Sequence, residues 1–342
     1  MRSRIAISLG WLVLVCLALV PVAAAQNGDI PRTPSGRPDL SGTYDVSTLT
    51  PMQRPEELGE AVALSAERAA EIAEGARRRD ERRARPSDPE RGAPPQGGRV
   101  GGYNGFYIDN GDAAFQVGGQ WRASILIDPP NGRYPPRVDE TPARGRTPNP
   151  GTAFWLEAGL DAPGPYDNME QRPYGERCMV GFGSTGGPPM LPVLYNNHKR
   201  IVQTEDTVMI LIEMVHDARI VRMNAAHGPP KITKWLGDSI GHWEGDTLVV
   251  ESTHFNGGAP FQGSSQDMTL VERYTRIGPN TLEYQFTVDD PTVWTRPWTA
   301  MFRWDLDESQ YELVEYACHE GNYGMRNILS GARARDAEQD AR

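Results

Sequence analysis

The sequence has 342 residues, 35 of them basic and 45 acidic, and carries a formal net charge of −10 at pH 7. This acidic balance argues against nucleic acid or an anionic membrane surface as a partner. The length suffices for one large β domain or two small ones.

Residues 1–25 have the pattern of a cleaved export signal. Two arginines precede an apolar run from Ile5 to Val22, and three alanines follow it. The run is barely long enough to span a membrane; a retained anchor or a lipid anchor at Cys16 are the alternatives. Cleavage removes two arginines and no acids, which leaves 317 residues with a net charge of −12. We therefore predict a periplasmic or secreted protein with no membrane contact after cleavage.

Two cysteines, Cys178 and Cys318, remain in the mature chain. In an oxidising compartment a pair of this kind favours one disulfide, which would contribute roughly 4–5 kcal/mol by closing a long loop. The alternative is two unpaired, buried thiols.

An N-terminal extension is predicted for residues 26–102. Proline and glycine are frequent in it, and Ser65 is placed to cap a helix over about 65–84 that stops before Pro86. The arginines of this helix alternate with acids, which is typical of a solvated face. Residues 86–102 have the composition of a linker.

A β domain is predicted for residues 103–332, followed by a disordered tail at 333–342. After a loop-rich region at 129–192, short apolar runs alternate with turn residues and predict eight strands. Tight connections between them favour an antiparallel meander, either a barrel or a sandwich. The predicted fold class is mainly β: an antiparallel, lipocalin-like meander barrel with a loop-rich N-terminal half and one short helix.

Several motifs carry a family resemblance. The segments "PDLSGTY", "GHWEGDTLVVESTHF", "LVERYT", "DDPTVWTRPWT" and "EYACHEGNYGMRNIL" together resemble a widespread group of secreted bacterial proteins of unknown function. The resemblance spans most of residues 36–332 and implies no activity. The opening strand before a meander also resembles lipocalin-like barrels, with Tyr44 at their aromatic position.

Strand "TVMILIEMVH" is apolar on both faces, which predicts a central strand. Its end would hold His216 near Asp217 and, across a tight turn, Arg219. A carboxylate and a guanidinium beside a histidine can shift the pKa of its imidazole into the range needed for proton transfer. A surface ion pair beside a hairpin is the alternative interpretation.

Strand "MTLVERYT" places Leu270, Glu272 and Tyr274 on one face. If this face points inward, Glu272 requires a partner, because an unpaired buried carboxylate is costly. Arg219, Arg296 and His216 are the candidates. If the face points outward, Glu272 is an ordinary surface residue.

Other candidates lie in turns and at strand ends. His242 follows a glycine at a strand mouth, where its ring would be accessible. Substrate-binding roles are predicted for Tyr195, Trp294, Arg296, His319 and Glu320.

No resident cofactor is predicted. The six histidines are scattered, with no His-x-His and no His-Glu-x-x-His, so a Zn²⁺ or Fe²⁺ site is an alternative that only the fold could supply. No Gly-x-Ser-x-Gly motif occurs, and the lack of βαβ units disfavours nicotinamide and flavin folds. A carboxylate pair of the glycosidase kind stays open.

We thus expect a cofactor-independent acid–base enzyme, a lyase, isomerase or hydrolase with one small organic or glycosidic substrate. In this hypothesis His216 or His242 shuttles the proton, Glu272 orients or deprotonates, Tyr274 donates to developing charge and Arg219 holds a substrate oxygen. The competing hypothesis is a non-catalytic binder of a hydrophobic or glycan ligand. An apolar lumen would favour the binder, and ionisable groups in the lumen would favour the enzyme. No oligomeric state is assigned.

Overall fold

A computed structural model describes residues 29–86, 89–90, 92, 108–138, 164–181, 187–257, 261–310, 313 and 315–341. The predicted export signal and most of the predicted linker lie outside these residues. The strands found within them, in chain order, are β1 (Gly42–Asp45), β2 (Ala63–Leu64), β3 (Gln116–Val117), β4 (Gln120–Arg122), β5 (Leu126–Asp128), β6 (His198–Gln203), β7 (Thr207–Ile212), β8 (Ala218–Met223), β9 (Asp238–Glu244), β10 (Thr247–Thr253), β11 (Thr269–Gly278), β12 (Thr281–Asp289) and β13 (Trp298–Leu306).

Nine of these strands close into a barrel. Their hydrogen-bonded order is β1-β6-β7-β8-β9-β10-β11-β12-β13, and β13 returns to β1 with Tyr44 opposite Leu306. All pairings in the barrel are antiparallel except β8 with β9, where Val221 lies opposite Ser239. β5 adds to the other end of β13, and β2, β4 and β3 form a separate small sheet. The predicted mainly β class and antiparallel-dominated barrel are confirmed.

The interior of the barrel is filled by large side chains. Alternate residues of each long strand point inward, and β12 gives a regular example with a fully buried residue at every second position. Aromatic rings dominate this core because they bury the most apolar area per residue. The aromatic residues with no exposed surface are Tyr44, Tyr274, Tyr284, Phe286, Trp298, Phe302 and Trp304.

The described residues include two long helices, one between β1 and β6 in the sequence and one after β13. The first, α1 (Ala66–Arg83), begins where predicted, with the Ser65 hydroxyl accepting a hydrogen bond from the Arg68 amide at 3.1 Å. The second, α2 (Tyr323–Asp340), contradicts the predictions of one helix and a disordered tail at 333–342. This helix has no apolar stripe that would predict it, since Leu329 is its one buried residue. It forms because its alanines and arginines have high helix propensity.

Three predicted boundaries are also corrected. β1 closes the barrel although it lies within the predicted extension, 26–102, so the barrel does not begin at residue 103. β7 ends at Ile212, and Met214–His216 form a 3₁₀ turn with positive φ at Val215 and His216. The described part of "YELVEYAC", which includes 315–318, is not a strand. For β7, the apolar pattern continues past the end of the hydrogen-bonded ladder.

Cys178 and Cys318 are joined by a disulfide across 140 residues, with their Cα atoms 5.7 Å apart. The bond links the segment at 164–181 to the turn before α2. In the described part of the chain, no helix combines the length and the hydrophobicity needed to cross a membrane.

Candidate functional site

Four neighbouring strands each direct a polar side chain into the barrel. β8 contributes Arg219, β9 Ser239, β10 Ser252 and β11 Glu272, and each is at most 3% exposed. The inward face of β11 therefore carries Glu272 and Tyr274, which is the first of the two orientations considered from the sequence. Of the three partners considered for Glu272, Arg219 is the one that forms a direct ion pair with it.

All three nitrogens of the Arg219 guanidinium donate hydrogen bonds. Nη1 donates to Glu272 Oε1 at 2.9 Å and Nη2 to Glu272 Oε2, which makes a bidentate pair. Nε donates to Ser239 Oγ at 2.9 Å, and Nη2 also donates to Ser252 Oγ at 2.6 Å. Burial alone would lower the pKa of Arg219, but the charge of Glu272, its hydrogen bond and the neighbouring Tyr274 and Tyr284 together outweigh burial and raise that pKa.

Two phenols complete the network from the other side. The hydroxyls of Tyr274 and Tyr284 donate to Glu272 Oε1 at 3.0 and 2.7 Å, and the Met190 amide donates to the Tyr284 oxygen at 3.0 Å. Burial, reinforced by the Glu272 charge, raises the pKa of both tyrosines well above the ordinary value. Both phenols therefore stay protonated. The network is balanced in charge, and its hydrogen bonds are made internally.

A cavity of about 390 Å³ lies beside this core, at the side of β5. Most of its wall is apolar, formed by Met52, Ile125, Leu191, Val193, Leu194 and Phe261 together with Pro192. Polar side chains are fewer: Thr48, Thr50, Asn110 and Gln262. None of the lining residues belongs to the Arg219–Glu272 network. The volume falls within the range of small-molecule pockets, roughly 300–1,000 Å³.

The cavity wall is held in place by hydrogen bonds. The Asn197 side chain accepts from the Val193 amide at 2.7 Å and donates to the carbonyls of Val193 and Asp109 at 3.0 and 2.7 Å. Asn197 is fully buried, so these bonds replace its contacts with water. Met190, at the start of the same segment, is tied to Tyr284 in the core. The pocket is therefore largely formed without a ligand.

Lys199 is an ionisable residue buried in the barrel wall, separate from the Arg219–Glu272 network. It lies on β6 opposite Tyr44 and Ile212, has no exposed surface, and its Nζ has no hydrogen-bond partner among the described residues. Burial lowers its pKa to about 8, against the opposing charges of Glu213 and Asp45. An unpaired amine in this position costs stability in its charged form.

Lys199→Met is expected to raise the free energy of unfolding at pH 7 by about 3 kcal/mol, since one pKa unit corresponds to about 1.4 kcal/mol. The folded chain releases the Lys199 proton near pH 8 and the unfolded chain near 10.5. The gain is therefore full below pH 8 and declines as the pH rises to 10.5. Urea titrations at pH 7 and 10 measure it, with exposed Lys231→Met as the neutral control. Equal effects of the two substitutions would contradict the cost assigned to Lys199.

A second polar cluster lies outside the lumen, at one end of β9 and β10. His227 Nδ1 is 3.2 Å from Asp238 Oδ2, and His227 Nε2 is 3.0 Å from Glu251 Oε1. Ligand atoms of His227, Asp238 and His254 all lie within 4.8 Å of one another, so the fold does bring two histidines and a carboxylate together. Burial would raise the pKa of Asp238, but hydrogen bonds from Lys234 and the Gly228 amide lower it below its usual range.

The two histidines predicted as proton shuttles lie outside the Arg219–Glu272 network. His216 is exposed in the turn before β8. His242 points outward from β9, because Gly241 takes the inward position, and its ring lies 3.2 Å from Glu244. Of the predicted catalytic residues, the structure brings together Arg219, Glu272 and Tyr274.

The predicted substrate-binding residues are dispersed. Trp294 is buried against Tyr134, with ring centroids 5.5 Å apart, and Arg296 forms an exposed ion pair with Asp128. Tyr195 stacks on Tyr316. His319 and Glu320 are exposed in the turn that follows Cys318. None of these five predicted residues lines the cavity.

Comparison with protein-family models, curated proteins and solved structures found no match to the chain. The family resemblance and the functional hypotheses drawn from the sequence therefore stay predictions.

Proposed function

We propose that the protein binds a small, largely apolar molecule in the cavity beside β5, without chemical conversion. The single observation that carries this proposal is the cavity itself, whose volume of about 390 Å³ suits a compact organic ligand. Its apolar wall supplies affinity through burial, and its few polar groups supply orientation.

Ionisable side chains do lie in the lumen, which is the outcome expected for an enzyme, but their hydrogen-bonded network is closed, and this closure supports a binder. Glu272 and Arg219 have at most 2% exposed surface, and their polar atoms are engaged with each other and with neighbouring hydroxyls. A catalytic carboxylate must reach its substrate at hydrogen-bonding distance. In the binder, the network has a different role: it ties β8, β9, β10 and β11 together and, through Tyr284 and the Met190 amide, holds the segment that leads into the cavity wall.

We further propose that the mature chain works in the periplasm or outside the cell. The Cys178–Cys318 disulfide supports an oxidising compartment, and the sequence of residues 1–25 supports export. A binder in that compartment meets small molecules before they enter the cell.

Val193→Trp is expected to weaken the binding of a neutral apolar fluorophore, N-phenyl-1-naphthylamine, by about tenfold or more, a loss of about 1.4 kcal/mol. Val193 lines the cavity, so the larger indole fills space that the ligand needs. Fluorescence titration measures the change. Val202→Trp is the matched control, because Val202 is 43% exposed on β6 and does not line the cavity. Equal affinities of the two variants would exclude this cavity as the binding site.

An acid–base enzyme of the lyase, isomerase or hydrolase class is the second proposal. The specific observation in its favour is that Arg219, Glu272 and Tyr274, from β8 and β11, converge inside the barrel. In this proposal a substrate displaces the hydroxyl of Tyr274 or Tyr284 from Glu272, which then accepts a proton. Turnover of any small substrate by the wild-type chain, lost when Glu272 is neutralised, would favour it over the binder.

A further inference from the structure

The side chains of His227, Asp238 and His254 lie together because β8 and β9 pair in parallel and are joined by a long connection. Residues 224–237 connect β8 to β9 and carry His227, whereas Asp238 opens β9. In the β9–β10 ladder Asp238 lies opposite Thr253, so His254, the next residue, emerges beside it. The three side chains therefore come from separate parts of the chain and meet at one end of the barrel.

His227 is held between two carboxylates. Its Nδ1 lies 3.2 Å from Asp238 Oδ2 and its Nε2 lies 3.0 Å from Glu251 Oε1. A neutral imidazole has one donor and one acceptor nitrogen, so it cannot donate to both carboxylates. If both carboxylates are ionised, two arrangements satisfy both contacts: an imidazolium, or a ring with one nitrogen bound to a cation while the other donates.

The surroundings of His254 distinguish between these two arrangements of the His227 ring. Its Nδ1 is buried, and no hydrogen-bond partner for it occurs within the described ranges. The residue also has φ +56°, a conformation that is uncommon for non-glycine residues, although histidine adopts it more often than most. An imidazolium at His227 leaves the His254 nitrogen unexplained. A shared cation accounts for both rings.

We propose that His227 Nδ1, His254 Nδ1 and a carboxylate oxygen of Asp238 bind a divalent transition metal, with zinc as the best fit. Two imidazoles and one carboxylate are a zinc donor set, and bonds of about 2.0–2.1 Å place tetrahedral ligands about 3.3 Å apart. The 3.2 Å between His227 and Asp238 already matches that spacing. The remaining spacings, up to 4.8 Å, contract as the rings turn toward the metal.

Glu251 then has the role that carboxylates have behind metal-bound histidines. It accepts from His227 Nε2–H, which fixes the tautomer that leaves Nδ1 free for the metal. Glu251 is 45% exposed in side-chain area and lies on the outward face of β10, so its contact with His227 is independent of the lumen. The site therefore goes beyond the ligand cavity and its proposed function.

Two basic residues set the charge of the site. Lys234 donates to Asp238 Oδ1 at 2.6 Å and Arg222 to Oδ2 at 2.7 Å. They balance Asp238 and Glu251, so the added metal charge favours water or a small anion as fourth ligand. Of the contacts that Asp238 Oδ2 makes, the one with His227 is the longest, and it is the contact that the metal replaces.

The test is Zn²⁺ binding to the untagged, EDTA-treated mature chain, measured by isothermal titration calorimetry and by metal content after dialysis. The wild type is expected to hold one zinc per chain. His254→Asn should weaken binding at least about 100-fold, since loss of a supporting residue alone costs about 10–100-fold. His216→Asn is the matched control, because His216 is exposed and also has positive φ, at 47°. It should leave binding unchanged.

Glu251→Ala provides a second measurement that does not depend on the folding of the His254 variant, with an expected 10–100-fold weakening. Far-ultraviolet circular dichroism checks that each variant is folded. Absence of stoichiometric zinc in the wild type would overturn the proposal. So would zinc binding that neither His254→Asn nor Glu251→Ala weakens, because the metal would then be bound elsewhere.

Discussion

Glu272→Gln is expected to lower the free energy of unfolding by about 3–5 kcal/mol, although it changes one atom and little volume. Arg219 has 2% exposed side-chain area and would be left with no opposite charge, which is the costly consequence of breaking a buried ion pair. Tyr274 and Tyr284 would also lose a charged acceptor for their hydroxyls. Urea unfolding at pH 7 measures the loss.

Two controls separate the ion pair from the substitution itself. Glu283→Gln makes the same change on the outward-facing side of β12 and should cost less than about 1 kcal/mol. Adding Arg219→Met to Glu272→Gln removes the orphaned charge, so the double variant should be more stable than Glu272→Gln alone. A double variant whose losses simply add would contradict a buried pair.

The same variant bears on the second functional proposal. If a turnover is found with the wild-type chain, Glu272→Gln should abolish it in samples that remain folded. Full turnover in folded Glu272→Gln would remove the catalytic role proposed for this carboxylate and leave its contribution to stability.

Replacing both cysteines, as Cys178→Ala with Cys318→Ala, is expected to cost about 5 kcal/mol. The disulfide closes a loop of 140 residues, and by the chain-entropy relation a loop of this length gives about that value. Reduction of the wild-type protein with dithiothreitol should produce the same loss, measured by urea unfolding. The double variant should not respond to dithiothreitol. A reduced wild type as stable as the oxidised one would contradict this account of the bond.

The barrel was predictable because inward-facing, mostly apolar residues recur at every second position of its long strands. In "MTLVERYT" and "TLEYQFTV" every second residue is buried, so the inward face could be tested residue by residue. The need of Glu272 for a partner followed from the cost of a lone buried carboxylate, but the sequence left three candidates, Arg219, Arg296 and His216, and only the fold selects Arg219. The Ser65 cap of α1 was also predictable, because it depends only on residues that are close together in the sequence.

Features that depend on three-dimensional closure were missed. The parallel pairing of β8 with β9 brings His227 to Asp238 across a connection of fourteen residues, 224–237, and no local pattern indicates it. Lys199 escaped notice because "KRIVQ" alternates ambiguously: Lys199 and Ile201 point inward, and Arg200 and Val202 do not. Because each face of this strand carries one basic residue, the sequence does not indicate that Lys199 is the one that lies in the core. The cavity likewise joins segments far apart in sequence.

The central claim is that the cavity beside β5 binds an apolar ligand, and a crystal structure grown with N-phenyl-1-naphthylamine tests it most directly. We expect the fluorophore between Ile125, Leu191 and Phe261, with the Arg219–Glu272 pair intact. A fluorophore bound elsewhere, or an empty cavity at saturating concentration, would contradict it.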